Sequence, residues 1–357
     1  MRAPNRSGIC LPTWNFLLTV ALLAVSTARA EVQFNVLFVD PSRAFAGYQS
    51  VIRSHIQSAG ADWARYLKTP TGKTPSIEVR VVFETNRLHA TAGGSAAVEF
   101  VAARNGFDVY ETGMAAEIRT GTDPNGADAD VDMFIDTDFL INHAWFDPDP
   151  TKRIDTVPSN RVDAYSVFLH ELGHALFANG WRDWKTGALP LPGGTDGAYL
   201  STFDENITVE PDGKFFFTGP ATTARYGTRL PLAFFSIYHL GNPAPSLGSD
   251  LLYDLMCFSA KDGQRAFIST IDLALLQDSG LALAQTEIVP PKVRVLEPTP
   301  SGQLTIRWTG ANYGLVLETS ISLANPDWKE VASGLNGTEH TFKPPDGKTG
   351  FFRLIAK

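Results

Sequence analysis

The stretch Asn160-Arg161-Val162-Asp163-Ala164-Tyr165-Ser166-Val167-Phe168-Leu169-His170-Glu171-Leu172-Gly173-His174-Ala175-Leu176 decides how this chain is read. Tyr165, Leu169, Leu172 and Leu176 recur at helical spacing and form one apolar face. Asn160 is a suitable N-cap with Asp163 three residues on, and Asn179-Gly180 offers a left-handed stop, so the helix is expected to run past Phe177. His170 and His174, four apart, lie about 40° apart around the helix axis and about 6 Å along it. Both imidazoles can therefore reach one metal ion, and Glu171 stands beside them as a candidate base. That combination predicts zinc and hydrolysis of a peptide bond, with Glu171 taking a proton from the attacking water. Two unrelated histidines on an ordinary helix would give the same five letters. The apolar face and the flanking start and stop signals argue against that plainer reading.

Outward from this helix, the N-terminus reads as a leader. Arg2 and Arg6 precede an apolar run from Trp14 to Val25, and Ala28-Arg29-Ala30 gives a small-x-small cleavage site. Residues 1–30 are expected to be a signal peptide, removed on export to the periplasm or the medium. The run is too short and wrongly flanked for a membrane span. Of the two cysteines, Cys10 lies in the leader, so Cys257 is left without an intrachain partner. The chain has 30 Lys+Arg against 38 Asp+Glu, and loss of Arg2, Arg6 and Arg29 makes it more acidic still. Such a surface is a poor match for nucleic acid or anionic membranes. A monomer acting on protein or peptide is expected.

Val32–Val39, Ile77–Phe83 and Val131–Asp136 read as strands, Tyr48–Leu67 and Ser269–Gly280 as helices, and Ala96–Ala103 as a short helix. Ile207 to Phe217 reads as a hairpin through Pro211-Asp212-Gly213. The order predicts an α+β fold over residues 31–287, with a mixed sheet packed on the histidine helix. Pro290-Pro291 marks a boundary. Beyond it, residues 288–357 carry short strands between Gly, Pro and Asn turns, as in a small all-β module of sandwich type. That module contains no acid pair or ligand cluster, and stabilisation or attachment is its expected role.

A catalytic zinc needs a third protein ligand. Of the remaining histidines, His55 sits in the first helix and His340 in the β module. His239, in Ile237-Tyr238-His239-Leu240-Gly241 ahead of Tyr253-Asp254-Leu255-Met256, is the best candidate. Glu205, Glu210 and His143 are weaker rivals. Asp123, Asn125, Asp128, Asp130 and Asp132 alternate as oxygen donors; a solvated loop is the default, with calcium as the alternative. Trp181 and Trp184 are expected to pack near the cleft. Tyr238 and Tyr253 are candidate oxyanion donors. Cys257 reads as a buried thiol, not a nucleophile.

His170-Glu171-Leu172-Gly173-His174-Ala175-Leu176, a distant histidine and a Leu255-Met256 turn together resemble the metzincin-type zinc peptidases. The likeness is especially to leishmanolysin-like members with a long insertion before the third histidine. The run Ile271–Leu281 is similar to the end of many secreted bacterial relatives. The resemblance spans roughly residues 34–283 and is strong only at the helix and at His239–Gly280. It implies a zincin-like catalytic domain in which His170, His174 and His239 bind zinc and Glu171 is the general base. Met256 would be the methionine beneath the ligands. The chain departs from the compact metzincin pattern, having Phe177 and Gly180 where that pattern has glycine and the third ligand. Two other readings remain open: a zinc-binding scaffold or adhesion protein without activity, and a zinc hydrolase with a non-protein substrate.

Overall fold

In the computed structural model of the protein, the alternating run that follows residue 31 forms β1 (Gln33–Val39), and its inward residues Phe34 and Val36 are buried. The structure describes residues 32–85, 91–93, 98–126, 128–153, 155–190 and 198–284, then the stretches 292–295, 302–309, 315–322, 327–335, 339–344 and 351–356. The proposed leader, His89 and the Pro290-Pro291 boundary lie outside them. Helix α1 (Gln49–Ala64) returns across the sheet and buries Ile52, Ile56, Ala59 and Trp63. It leads to β2 (Ser76–Glu84), which pairs in parallel with β1.

The edge strand β3 (Thr91–Gly93) precedes a hairpin of β4 (Val98–Arg104) and β5 (Phe107–Thr112). Here the structure corrects the helix expected over Ala96–Ala103. Asn105 and Gly106 both take positive φ, 52° and 83°, which is the two-residue turn that reverses an antiparallel pair. That turn outweighs the local helix preference of Ala102 and Ala103. After α2 (Gly113–Thr120), β6 (Val131–Asp136) completes a four-stranded sheet of order β1-β2-β6-β3. The strands β1, β2 and β6 are parallel and β3 is antiparallel to β6. Val79 and Val81 lie opposite Val131 and Met133, and all four are fully buried.

A short parallel pair, β7 (Ala144–Trp145) and β8 (Val162–Asp163), leads into α3 (Ala164–Leu176). The N-cap is Asp163, not Asn160: its carboxylate accepts from the Ser166 N–H and hydroxyl. Arg265 binds both Asp163 and Asp147, and all three are buried, so the cap carboxylate is neutralised where the helix dipole also favours it. Tyr165, Phe168, Leu169 and Leu172 are fully buried, and Trp63 Nε1 on α1 donates to the Leu169 carbonyl at 2.9 Å. Helices α1 and α3 thus share one core with the sheet. The helix ends at Phe177 (φ −151°, ψ −37°), earlier than expected, so Asn179-Gly180 is not its stop.

Strand β9 (Tyr199–Ser201) joins β5 in parallel, and the expected hairpin forms from β10 (Ile207–Val209) and β11 (Phe215–Phe217). Helix α4 (Pro220–Tyr226), β12 (Leu230–Pro231) and α5 (Thr270–Asp278) follow. Ser269 and Asp272 form a capping box on α5. The C-terminal strands make two antiparallel sheets. One orders β13 (Lys292–Val295), β14 (Leu304–Thr309) and β17 (Glu339–Phe342); the other orders β16 (Lys329–Leu335), β15 (Leu315–Ser320) and β18 (Phe351–Ala356). Ile306 and Trp308 from the first meet Leu315, Leu317 and Leu354 from the second in a separate small core. The chain is α+β, and no helix among the described residues is long and apolar enough to cross a membrane.

Candidate metal centre

Helix α3 sets His170 and His174 one turn apart, and the segment leaving β12 brings His239 against them. His174 Nε2 lies 3.0 Å from His170 Nε2 and 3.1 Å from His239 Nε2. The opposite ring nitrogens are each held by an oxygen. His170 Nδ1 donates to the Leu255 carbonyl at 2.7 Å, and His174 Nδ1 to the Ala178 carbonyl at 2.8 Å. His239 Nδ1 lies 2.9 Å from Ser236 Oγ. A carbonyl can only accept, so in His170 and His174 the proton sits on Nδ1 and the Nε2 lone pair faces inward. The His174 nitrogen lies about 3 Å from each of the other two, and lone pairs so close repel unless a cation lies among them. The donor set therefore fits a zinc ion, and the described residues show no other histidine cluster that does.

The electrostatics agree with neutral, ligand-ready rings. Burial and the neighbouring His174 pull His170 down to about 3. Burial lowers His174, and burial with both neighbours holds His239 well below the ordinary histidine value. Glu171 is buried and lines the same cleft as the three imidazoles. Its walls are apolar at Val162, Val167, Leu252 and Phe258, with Tyr253 and Lys261 also contributing.

Two features beneath the histidines explain why the chain folds this way locally. Met256 is buried, and a Cβ added at Gly173 would lie 2.6 Å from its sulfur, so glycine is needed for the approach between the two α3 ligands. Asp254 holds the turn by accepting from the Met256 N–H at 3.1 Å and the Ser269 hydroxyl at 2.7 Å. Asp254 and Asp272 are both buried, and burial raises both carboxyls; the charge of Asp254 pushes Asp272 up further.

Asp204 is a second support that sequence reasoning missed. It accepts from Trp181 N–H at 2.7 Å, Ser201 N–H at 3.0 Å and the Tyr238 hydroxyl at 2.9 Å. It thereby ties the segment after α3 to the segment carrying His239. Gly180 is required beside it, since a Cβ there would lie 2.1 Å from the Asp204 carboxylate. Nothing in the spacing signalled Asp204, because apart from Ser201 its partners are 23 and 34 residues away.

Several candidates fall away. Tyr238 is committed to Asp204 and the Arg182 carbonyl, which removes it as an oxyanion donor. Tyr253 keeps its place on the cleft wall. His143 pairs with Asp138 on the surface, Glu205 with Arg104, and Glu210 with Arg229. His340 lies on β17. Trp181 packs against Tyr110 and Tyr199, and Trp184 is half exposed beneath Lys185. Cys257 is a free, buried thiol, raised by burial. In the acidic stretch, Asp132 is bound to Arg80 by two hydrogen bonds, while Asp123 and Asp130 gather with Glu117. No family model, curated protein or solved structure matches the chain.

Proposed function

We propose that the chain is an exported zinc endopeptidase with a zincin-like catalytic unit. The observation that carries this reading is the convergence of His170, His174 and His239 through Nε2, in one cleft with Glu171. His170, His174 and His239 would hold the ion. A zinc ion bound there acidifies water and polarises a carbonyl. Glu171 accepts the proton of the attacking water at its carboxylate and returns it to the leaving amine nitrogen. Its buried position keeps that carboxylate away from bulk solvent. The Leu255 and Ala178 carbonyls fix the tautomers of His170 and His174, Ser236 Oγ orients the His239 ring, and Met256 packs against Gly173 between the two ligands of α3. The apolar walls suit an uncharged side chain next to the scissile bond, and Tyr253 is a wall residue able to donate to a developing oxyanion.

The test is Glu171→Gln, an isosteric change that removes the base. With unfolded protein and a mixed peptide library as substrates, cleavage is expected to fall by about 10²–10⁴-fold while zinc stays at one ion per chain. Absence of cleavage by the zinc-loaded wild type would instead favour a scaffold or a hydrolase of non-protein substrates.

A further inference from the structure

We propose that Glu117, Asp123 and Asp130 form a calcium site that pins α2 and the loop after it to the main sheet. One carboxylate oxygen from each lies within 4.8 Å of the other two. Glu117 is 3% exposed and Asp130 0%, so two of the three acids are sealed from solvent. Each spends one oxygen on the backbone of β2: Glu117 Oε1 accepts from Ser76 N–H at 2.7 Å, and Asp130 Oδ2 from Glu78 N–H at 2.8 Å. The second oxygens, Glu117 Oε2 and Asp130 Oδ1, are buried and have no hydrogen-bond partner. Asn125 Oδ1, in the same loop, is also buried and unpartnered. Among the described residues, no lysine or arginine pairs with any of the three acids.

A buried carboxylate without a cation or a proton is among the costliest arrangements a protein can hold, and here two sit together. Burial and the neighbouring Glu117 and Glu78 push Asp130 up to about 7, and burial with Asp123 and Glu78 raises Glu117. A divalent cation removes that repulsion. The donors are oxygen only, with no imidazole or thiolate, which selects a hard cation over zinc. Calcium accepts six to eight oxygens at about 2.3–2.6 Å in adaptable geometry, and water can complete the set. The ion would join the C-terminal end of α2 to the starting ends of β2 and β6. None of these elements carries a histidine of the zinc centre, so the site stands or falls independently of the peptidase reading.

The experiment uses the whole protein, stripped of divalent ions, given one equivalent of zinc and titrated with calcium chloride by calorimetry, with thermal unfolding in parallel. One calcium per chain is expected, with a Kd below about 1 mM, within the range of extracellular calcium modules. Excess calcium should raise Tm by roughly 3 °C or more, the size expected for a linked ligand. Asp123→Asn, at an exposed position whose amide oxygen can still accept the Asn125 and Gly126 N–H groups, should weaken binding by about tenfold for a lost carboxylate ligand. Asp130→Asn should abolish the calcium response, yet be at least as stable as the wild type without calcium, because the repulsion is gone. A folded wild type with neither heat of binding nor Tm response at 1 mM calcium overturns the proposal. Unchanged calcium affinity in both variants overturns it as well. Stabilisation by acid alone, with no calcium effect, would show that a proton balances the acids.

Discussion

Four buried or half-buried histidines in this molecule are alike in almost every respect but one. In α1, His55 Nδ1 donates to the Val51 carbonyl at 2.7 Å, its Nε2 is buried without a partner, and burial lowers its proton affinity. His170, His174 and His239 likewise have Nδ1 on an oxygen and proton affinities lowered first by burial. What separates them is convergence. His174 Nε2 lies about 3 Å from the Nε2 atoms of both His170 and His239, whereas the His55 ring stands edge-on to Phe146, with centroids 5.1 Å apart. A depressed histidine therefore reports desolvation, and only the meeting of several lone pairs reports a metal.

The largest effect that could break this contrast comes from His239→Ala. If the convergence is a zinc centre, losing one of three ligands should lower zinc affinity by more than about 100-fold, beyond the loss usual for an outer partner. Competition with a chromophoric chelator reads this directly. Unchanged affinity would reduce His239 to another His55. Ser236→Ala is the finer probe, since it is the side-chain anchor among three otherwise held by main-chain carbonyls. Zinc affinity should fall by about 10–100-fold, as for second partners of metal-bound histidines. No change would mean that the His239 ring is oriented by packing alone.

The contrast also explains what could be read without coordinates. His170, Glu171 and His174 were legible because helical period alone brings i and i+4 together. The strands of the main sheet were legible from alternation, and the hairpin at Ile207–Phe217 from its turn residues. His239 was legible by its context, though nothing in spacing shows a contact across 65 residues. The supports were hidden for the same reason. Arg265 meets Asp163 across 102 residues and Asp147 across 118, and Asp204 serves three segments at once. The end of α3 was misplaced because Phe177 already leaves helical geometry and the Ala178 carbonyl turns back to the His174 ring, neither of which the Asn179-Gly180 pair signals. The strand β4 was not legible because Ala102 and Ala103 favour helix locally, while the turn at Asn105-Gly106 and pairing with β5 set the strand.

The smallest effect concerns His55 itself and asks whether a solitary buried histidine behaves as the comparison requires. Its folded proton affinity lies below that of an ordinary histidine near pH 6.5, because burial outweighs the pull of Asp163 and Asp147, and Arg265 works in the same direction as burial. Below about pH 6.5 the unfolded chain thus takes up a proton that the folded chain refuses. This contribution to stability is intact above that pH and is lost as the pH falls through 6.5 towards the folded value. His55→Gln cannot titrate, and its amide can still donate to the Val51 carbonyl. Measured by denaturant unfolding in zinc-saturated buffer, the variant should gain on the wild type as the pH drops from 7.5 to 5.5, with zinc stoichiometry unchanged. Parallel curves would mean that His55 is protonated equally in both states. Its unpartnered Nε2 would then have to be reached by solvent, and the distinction between a lone buried ring and a convergent set would lose its physical basis.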